Sequence, residues 1–443
     1  MPTFRFRRLP SAMSLMLGIG ITVAAAWAFT SHPAYRVHAE DWPTFGGADR
    51  TSVSAETNLL DQWGSDGPKL LWTAIGAGRG YASPAVSRGR VYTLGDSLST
   101  APEGDTDEYL TCFSAKDGKL LWKTKTGPAW LEGKLAWQGS RGTPTVDGTR
   151  VYVLTPHGQL VCANTKDGSI AWQLNLKDDL GGEKRDGWGY SESPLVDGDK
   201  LLCTPGGPRA TVVALNKSTG RVLWKCIRPD DVGAGHSSIV ISHVGGQKVY
   251  VQNTGGGPMG IGENGRLLWE YDIDPPTAFI PTPVIHHDYV FSVAGYGTGG
   301  ALLRQVAGDD GAVTVEEIYG PKTPLGNKHG GVILVDGRLY AGAEDQNIVY
   351  CADLLSGEVL WKKRGSGSGS TSVIAGDGKL FVRFQNGTMA LAKIGPQEYE
   401  EISSFTTPGS GVSNQPSWAH PVIANGKLLL REGDSILCYQ ISK

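Results

Sequence analysis

The stretch Ala214–Trp224, ALNKSTGRVLW, sets the frame for the whole chain. An apolar strand end runs into Asn216, turns through Gly220, and continues as a short apolar run closed by Trp224. The same phrase returns as CFSAKDGKLLW ending at Trp122, CANTKDGSIAW at Trp172, GENGRLLW at Trp269 and CADLLSGEVLW at Trp361, with a truncated GPKLLW at Trp72. From Trp72 onward the intervals are 50, 50, 52, 45 and 92 residues, the last being two units of 46. Self-similarity at this period belongs to propellers, solenoids and arrays.

Working outward from each phrase, a four-part unit emerges. A first strand opens with a small residue, often Pro, as in SPAV at Ser83, TPTV at Thr143, SPLV at Ser193, TPVI at Thr282 and HPVI at His420. A Gly-bearing turn leads to a second strand such as RVYVL or KLFVR, which is a hairpin signal. A third strand follows (LVCANT, IVYCAD), and the run ending in Trp is the fourth. First strands mark eight units, at Pro84, Pro144, Pro194, Ser238, Pro283, Ile333, Ser372 and Pro421. Two fourth strands lack the Trp and end near Tyr319 and Phe405. The eighth unit stops after its third strand, ILCYQIS, while Lys69–Ile75 is an orphan fourth strand at the other end of the repeat region. The expected fold is therefore all-β: an eight-bladed β-propeller of four-stranded antiparallel blades, closed when the N-terminal strand completes the C-terminal blade.

Residues 1–39 read as a secretory signal, residues 40–66 as a lead-in rich in turn formers, and residues 67–443 as the propeller. Arg5, Arg7 and Arg8 precede an uncharged apolar stretch, and Val37-His38-Ala39 offers a small-residue cleavage site. A periplasmic or secreted location follows. No Cys precedes Cys112, so membrane attachment is expected only through an uncleaved signal or a partner. The formal charge of −3 becomes 37 minus 44, or −7, without the four Arg of the signal. A mildly acidic chain with no basic stripe is not expected to bind nucleic acid. Four of the six Cys (Cys112, Cys162, Cys351, Cys438) hold one register position in separate units, so free buried thiols are expected rather than a disulfide framework, and no metal site.

The phrase A-x-D/N-x-x-x-G-x-x-x-W resembles the tryptophan-docking repeat of pyrroloquinoline-quinone propellers, a superfamily that includes quinoprotein alcohol dehydrogenases and the outer-membrane assembly factor BamB. The resemblance covers about Asp41 to Lys443. It implies that Trp72, Trp122, Trp172, Trp224, Trp269 and Trp361 pack between neighbouring blades. In such a propeller the longest loops, from an outer strand to the next inner strand, cross one face. Here they carry Trp130, Trp137, Trp188, Tyr190, Lys328, His329 and Trp418, while Tyr81, Arg141, Glu192, His236 and His420 stand at the mouths of inner strands. Of these, Tyr81, Arg141, Trp188, Tyr190, Glu192, His236, Lys328, His329, Trp418 and His420 are the candidate ligand-binding residues of a central funnel. The charged run Lys177–Asp186 reads as a solvated loop. No catalytic residue is singled out.

Two functions fit. One is a BamB-like binding or scaffold module for a protein, peptide or small ligand, expected to act as a monomer. The alternative is a dehydrogenase of alcohols or sugars using pyrroloquinoline quinone and Ca²⁺. That alternative requires an oxygen-rich cation site and a base carboxylate, for which Glu192, Arg141 and Trp188 are the residues of the right kind. The family's adjacent-cysteine pair is absent from this sequence.

Overall fold

The computed structural model describes residues 41–97, 106–309, 311–410 and 415–443; the expected signal segment lies outside them. Eight antiparallel sheets of four propeller strands each succeed one another along the chain. Blade 1 comprises Ala85–Ser87, Arg90–Asp96, Asp107–Ser114 and Leu120–Pro128. Blades 2 to 7 begin with inner strands Thr145–Asp147, Leu195–Asp197, Val240–Val244, Val284–His286, Val332–Val335 and Thr371–Gly376. Blade 8 is built from both ends of the chain. Val422–Ala424, Lys427–Glu432 and Ser435–Gln440 supply three strands, and Leu70–Ile75 is the outer one. The pairing Leu70↔Tyr439, Trp72↔Cys438 and Ala74↔Ile436 locks the ring as the repeat arithmetic requires.

The hydrophobic core is a ring of seams rather than one cluster. One seam joins blade 2 to blade 3 through Tyr152, Leu160, Leu201 and Val213. Another joins blade 6 to blade 7 through Tyr340, Cys351, Val382 and Ala390. The widest runs from blade 7 across blade 8 to blade 1, through Phe381, Leu429 and Val91. Both faces of a middle strand are covered by neighbours, so RVYVL at Arg150–Leu154 is buried from Val151 onward. Such strands read as continuous apolar runs, whereas the outer strand Leu120–Pro128 is largely exposed. All six cysteines are free and buried.

The repeat phrase acts across seams. Trp122 Nε1 donates to Thr165 O of blade 2 (3.1 Å), Trp172 Nε1 to Lys217 O of blade 3 (3.0 Å) and Trp224 Nε1 to Glu263 O of blade 4 (3.1 Å). Trp72, Trp269 and Trp361 reach Ala115 O, Gln305 Oε1 and Gly395 O of their next blades. The turn glycine lies under the incoming indole. A Cβ on Gly168 (φ +75) would stand 2.5 Å from Trp122 Cε3, and one on Gly220 (φ +73) 2.8 Å from Trp172 Cε3. Only Gly meets both demands, a left-handed backbone and an aromatic ring in contact. In the two blades without the Trp, Tyr319 donates its hydroxyl to Leu354 O (2.9 Å), and Phe405 rests on Gly67 and Trp63.

The lead-in is more than a leader to the propeller. It enters the central channel at the end where inner strands turn back, opposite the long loops, and builds a floor. Asp41 caps the blade 1 turn at Ser87 and Arg88, and Trp42 bridges Val86. Pro43 O accepts from Val146 N of blade 2 (2.8 Å). Arg50 is buried and donates to Ser193 O and Ile239 O, both at 3.0 Å, to Pro194 O, and to Thr44 Oγ1 at 3.2 Å. Val53–Ser54 then runs parallel to the inner strand of blade 7, and Glu56 accepts from Gly426 N of blade 8 (2.7 Å). This segment thus ties blades 1 to 4 to blades 7 and 8.

Candidate functional site

Above that floor lies a cavity of about 670 Å³, lined by long-loop and inner-strand residues. Eight of the ten candidate funnel residues line it: Tyr81, Arg141, Trp188, His236, Lys328, His329, Trp418 and His420. Its walls are ring-rich. Tyr81 meets Trp418 with centroids 5.0 Å apart, Trp418 meets His329 at 4.8 Å, and Trp188 stacks on Tyr296 at 6.5 Å with planes 24° apart. Trp137 meets Trp188 edge-on at 6.0 Å.

Tyr190 and Glu192 do not face the cavity, and the reason is the strand period of two. Ser191 takes the inward position, sending its neighbours the other way. Tyr190 is buried in the seam of blades 2 and 3 and donates to Pro205 O (2.7 Å). Glu192 accepts from Thr204 N (2.7 Å) and Thr204 Oγ1 (3.1 Å), and burial pushes its carboxyl up to about 8. It is a structural acid, not a channel base. Trp130 is likewise buried against His157 outside the funnel.

Cations in the funnel are held mostly by carbonyls. Arg141 donates to Trp188 O at 3.0 Å and to Trp137 O, and burial lowers its guanidinium to about 10. Lys184 donates to Ala234 O (3.0 Å) and Gly235 O, and burial brings its amine down to about 8. Lys328 pairs with Asp345 and lies 5.0 Å from the Tyr296 ring centre. The run Lys177–Asp186 is thus not simply solvated: its end brings Lys184 and Asp186 behind the funnel wall, against Ala234 and His236. There Asp186 Oδ2 lies 2.8 Å from His236 Nε2, and His236 Nδ1 lies 2.7 Å from Ser191 Oγ. Burial lowers His236 to about 4, aided by the charge of Lys184 and opposed by Asp186. On the far wall His420 Nε2 lies 3.0 Å from His329 O, while His420 Nδ1 and His329 Nε2 have no partner among the described residues.

The funnel residues missed from sequence are Phe45, Asp49 and Arg50 of the floor, together with Ser191 and Tyr296, and with Asp186 behind His236. Nothing in the repeat marks the lead-in as a channel segment. For Ser191, the alternation along YSES was the available signal.

An eight-bladed ring with indole-docked seams and an aromatic funnel defines the class: a pyrroloquinoline-quinone-repeat propeller. The family model described as outer membrane protein assembly factor BamB matches residues 106–363, which is 258 of the 443 residues, and the chain belongs to that family. A relative named outer membrane protein assembly factor BamB, from Yersinia pestis, is 24% identical over 302 residues. That match covers 67% of this chain and 61% of the relative's length, so less than two thirds of the relative is spanned. BamB from Moraxella catarrhalis superposes with a TM-score of 0.52 at 15% identity, over 77% of this chain and 93% of that one. Quinohemoprotein alcohol dehydrogenase from Comamonas testosteroni gives 0.59 at 11% identity, over 90% and 80%. At these identities the two structures report on fold alone.

The quinone reading can be tested against the residues present. Ca²⁺ takes six to eight oxygen ligands, largely carboxylates and carbonyls. Of the acids at or near the funnel, Asp49 stands alone and exposed on the floor, Asp186 is engaged by His236 and Trp188 N, and Glu192 is closed behind Thr204. Among the described residues no group of three His, Cys, Asp or Glu side chains could hold a metal. The site does not fit a Ca²⁺-quinone pair.

Proposed function

We propose that this protein is an exported binding propeller whose funnel takes up a segment of a protein client carrying an aromatic side chain. The observation that carries this reading is the cavity of about 670 Å³, walled by Tyr81, Trp137, Trp188, Tyr296 and Trp418 and closed below by Phe45 and Arg50. A largely apolar concave site with a few convergent polar groups is the usual form of a ligand pocket. Rings offset or tilted at 5–6.5 Å leave faces on which another ring can stack, each such contact contributing about 0.5–1.5 kcal/mol beyond area burial. Carbonyl-bound Arg141 adds a positive edge that favours an acceptor-rich backbone entering between the indoles. The name carried by the relatives, an outer membrane protein assembly factor, makes an unfolded or extended client segment the natural occupant.

The test is titration of the purified chain with extended hexapeptides, aromatic against aliphatic, followed by tryptophan fluorescence and calorimetry. Saturable binding of the aromatic series, weakened at least tenfold by Trp188→Ala and by Trp418→Ala, is the expected result. Equal affinity for both series, or no binding to either, overturns the reading. An added arm with pyrroloquinoline quinone and Ca²⁺ makes the rival measurable: a saturable thermal shift with dye-linked alcohol oxidation replaces the binding role with the enzymatic one.

A further inference from the structure

We propose that Ser191, His236 and Asp186 form a nucleophilic triad that hydrolyses acyl esters admitted to the funnel. The binding role above makes no use of this constellation. The three side chains come from two separate long loops, residues 173–192 and 227–239, and meet in one line. Ser191 Oγ stands 2.7 Å from His236 Nδ1, and His236 Nε2 stands 2.8 Å from Asp186 Oδ2. The other oxygen of Asp186 accepts from Trp188 N at 3.0 Å, which fixes the carboxylate behind the imidazole. Nucleophile, base and orienting acid are recognised by such geometry and roles rather than by chain order. Ser191 is partly exposed and faces the cavity, while His236 and Asp186 sit behind it with side-chain exposures of 4% and 10%. That is the arrangement an attacking hydroxyl needs: open in front and dry behind.

The electrostatics agree with a base at rest in its neutral form. The groups facing His236 are Asp186, Ser191, Lys184 and Arg141. Burial, Lys184 and Arg141 hold the ring deprotonated against the pull of Asp186. The hydrogen bond from His236 keeps Asp186 ionised, well below the usual carboxylate range, although burial alone would raise it. A neutral imidazole can take the hydroxyl proton, and the fixed anion stabilises the imidazolium that results. Arg141 lines the same wall and acts electrostatically on both Asp186 and His236, so its charge is available to a tetrahedral oxyanion.

The step balances with water as the co-reactant. Ser191 Oγ bonds to the ester carbonyl carbon as its proton passes to His236 Nδ1. The tetrahedral adduct collapses, the C–O bond to the alcohol breaks, and the alkoxide leaves with that proton. Water then adds to the acyl-serine, gives a proton to His236, and releases the acid as Ser191 Oγ is reprotonated. The net change is ester plus water to acid plus alcohol, with no redox change. The low basicity of His236 and the ring-lined walls select an ester with a good leaving group and an apolar acyl part over an amide.

The experiment uses the purified chain with a fluorophosphonate probe and with p-nitrophenyl butyrate. The expected result is a single phosphonylation, mapped to Ser191 by peptide mass spectrometry, and ester hydrolysis at least 100-fold above buffer. Ser191→Ala should lose more than 99% of that rate with its circular dichroism unchanged. Asp186 is a positioning residue, and Asp186→Asn should lower the rate at least tenfold and move the acidic limb of the pH–rate profile, which a merely structural loop tie would not do. Should Ser191→Ala fail to fold, Ser191→Cys keeps the volume, and labelling of the unaltered chain needs no variant. A folded wild-type protein that takes no phosphonate at Ser191, or a Ser191→Ala chain as active as wild type, overturns the proposal.

Discussion

Nine of the thirteen tryptophans of this chain fall into two regions with opposite demands. Six sit on outer strands and donate their indole N–H to the next blade, an arrangement built on the repeat. Trp137, Trp188 and Trp418 sit in loops between blades and face a common cavity, with no two loops alike. In the seams each ring holds two blades together, and those of Trp72, Trp122, Trp172 and Trp224 are wedged over the turn glycines Gly118, Gly168, Gly220 and Gly265 of the next blade. In the funnel the rings meet each other and solvent, and under the proposed binding role their removal costs contacts to a ligand more than contacts to the fold. On that reading the same side chain is structural where its surroundings repeat and selective where they do not.

The sharpest way to break this comparison is an exchange of effects. Trp122→Ala removes an indole between blades 1 and 2 together with its bond to Thr165 O. It should cost about 4 kcal/mol of stability, the scale for deleting a packed aromatic, and leave peptide affinity per folded molecule unchanged. Trp188→Ala should cost about 1 kcal/mol or less, because this half-buried ring meets Trp137, Tyr296 and the cavity rather than a neighbouring blade's turn, and should abolish most of the affinity. Urea unfolding and calorimetry on both variants decide the matter. A large stability loss at Trp188 with intact binding would reverse the assignment.

Arg50 tests whether the floor belongs to the seams or to the funnel. Its guanidinium satisfies carbonyls of blades 3 and 4, and burial lowers its affinity for the proton to about 10. Arg50→Ala leaves those carbonyls unpaired in a dry place, which should cost about 3 kcal/mol and lower the urea midpoint accordingly. If Arg50→Met restores most of that loss, the segment acts through packing and the hydrogen bonds contribute little.

These positions also show what the sequence could reveal. The ring, its eight sectors and its closure by Leu70–Ile75 were legible because the physical cause repeats: a turn glycine, a following apolar run and an indole at a fixed interval. Eight funnel residues were legible because strand mouths and long loops must converge at one end of a propeller. Tyr190 and Glu192 were misplaced by one register step, an error of orientation that a period of two makes total. The floor was not legible at all. Asp41, Arg50 and Glu56 act through single long-range bonds to blades far away in sequence, and no local pattern encodes such partners.

A third and smaller effect separates the regions by pH. Burial holds His329 down to about 3, with Lys328 and His420 helping and Asp345 opposing. As pH falls below 6.5 the unfolded chain takes up a proton that the folded chain refuses, so stability is lost from pH 6.5 toward pH 3. Glu108 and Glu192, raised to about 8 by burial, act in the other sense: their contribution is present below 4.5 and lost as pH rises to 8. The histidine effect therefore appears as a difference between variants. His329→Asn should recover about 2 kcal/mol relative to wild type on going from pH 7 to pH 4.5, less than the full shift because the ring partly faces solvent in the funnel. Parallel pH curves for the two proteins would show that His329 titrates alike folded and unfolded.

The finest distinction concerns two glycines with nearly the same backbone. Gly89 (φ +72) lies in a blade 1 turn with open space around its missing Cβ, and Gly168 (φ +75) lies under Trp122 in the repeat phrase. Gly89→Ala should cost only the left-handed strain, about 1 kcal/mol. Gly168→Ala brings in the same strain and in addition sets a methyl 2.5 Å from Trp122 Cε3 and 2.3 Å from Thr124 Oγ1. Its cost should exceed that of Gly89→Ala by about 1 kcal/mol, as the indole is displaced from its bond to Thr165 O. In a Trp122→Ala background the part of that excess owed to the ring should vanish, while the contact with Thr124 Oγ1 remains. If the excess is undiminished there, Thr124 and the backbone alone retain the glycine, and the indole does not set the repeat.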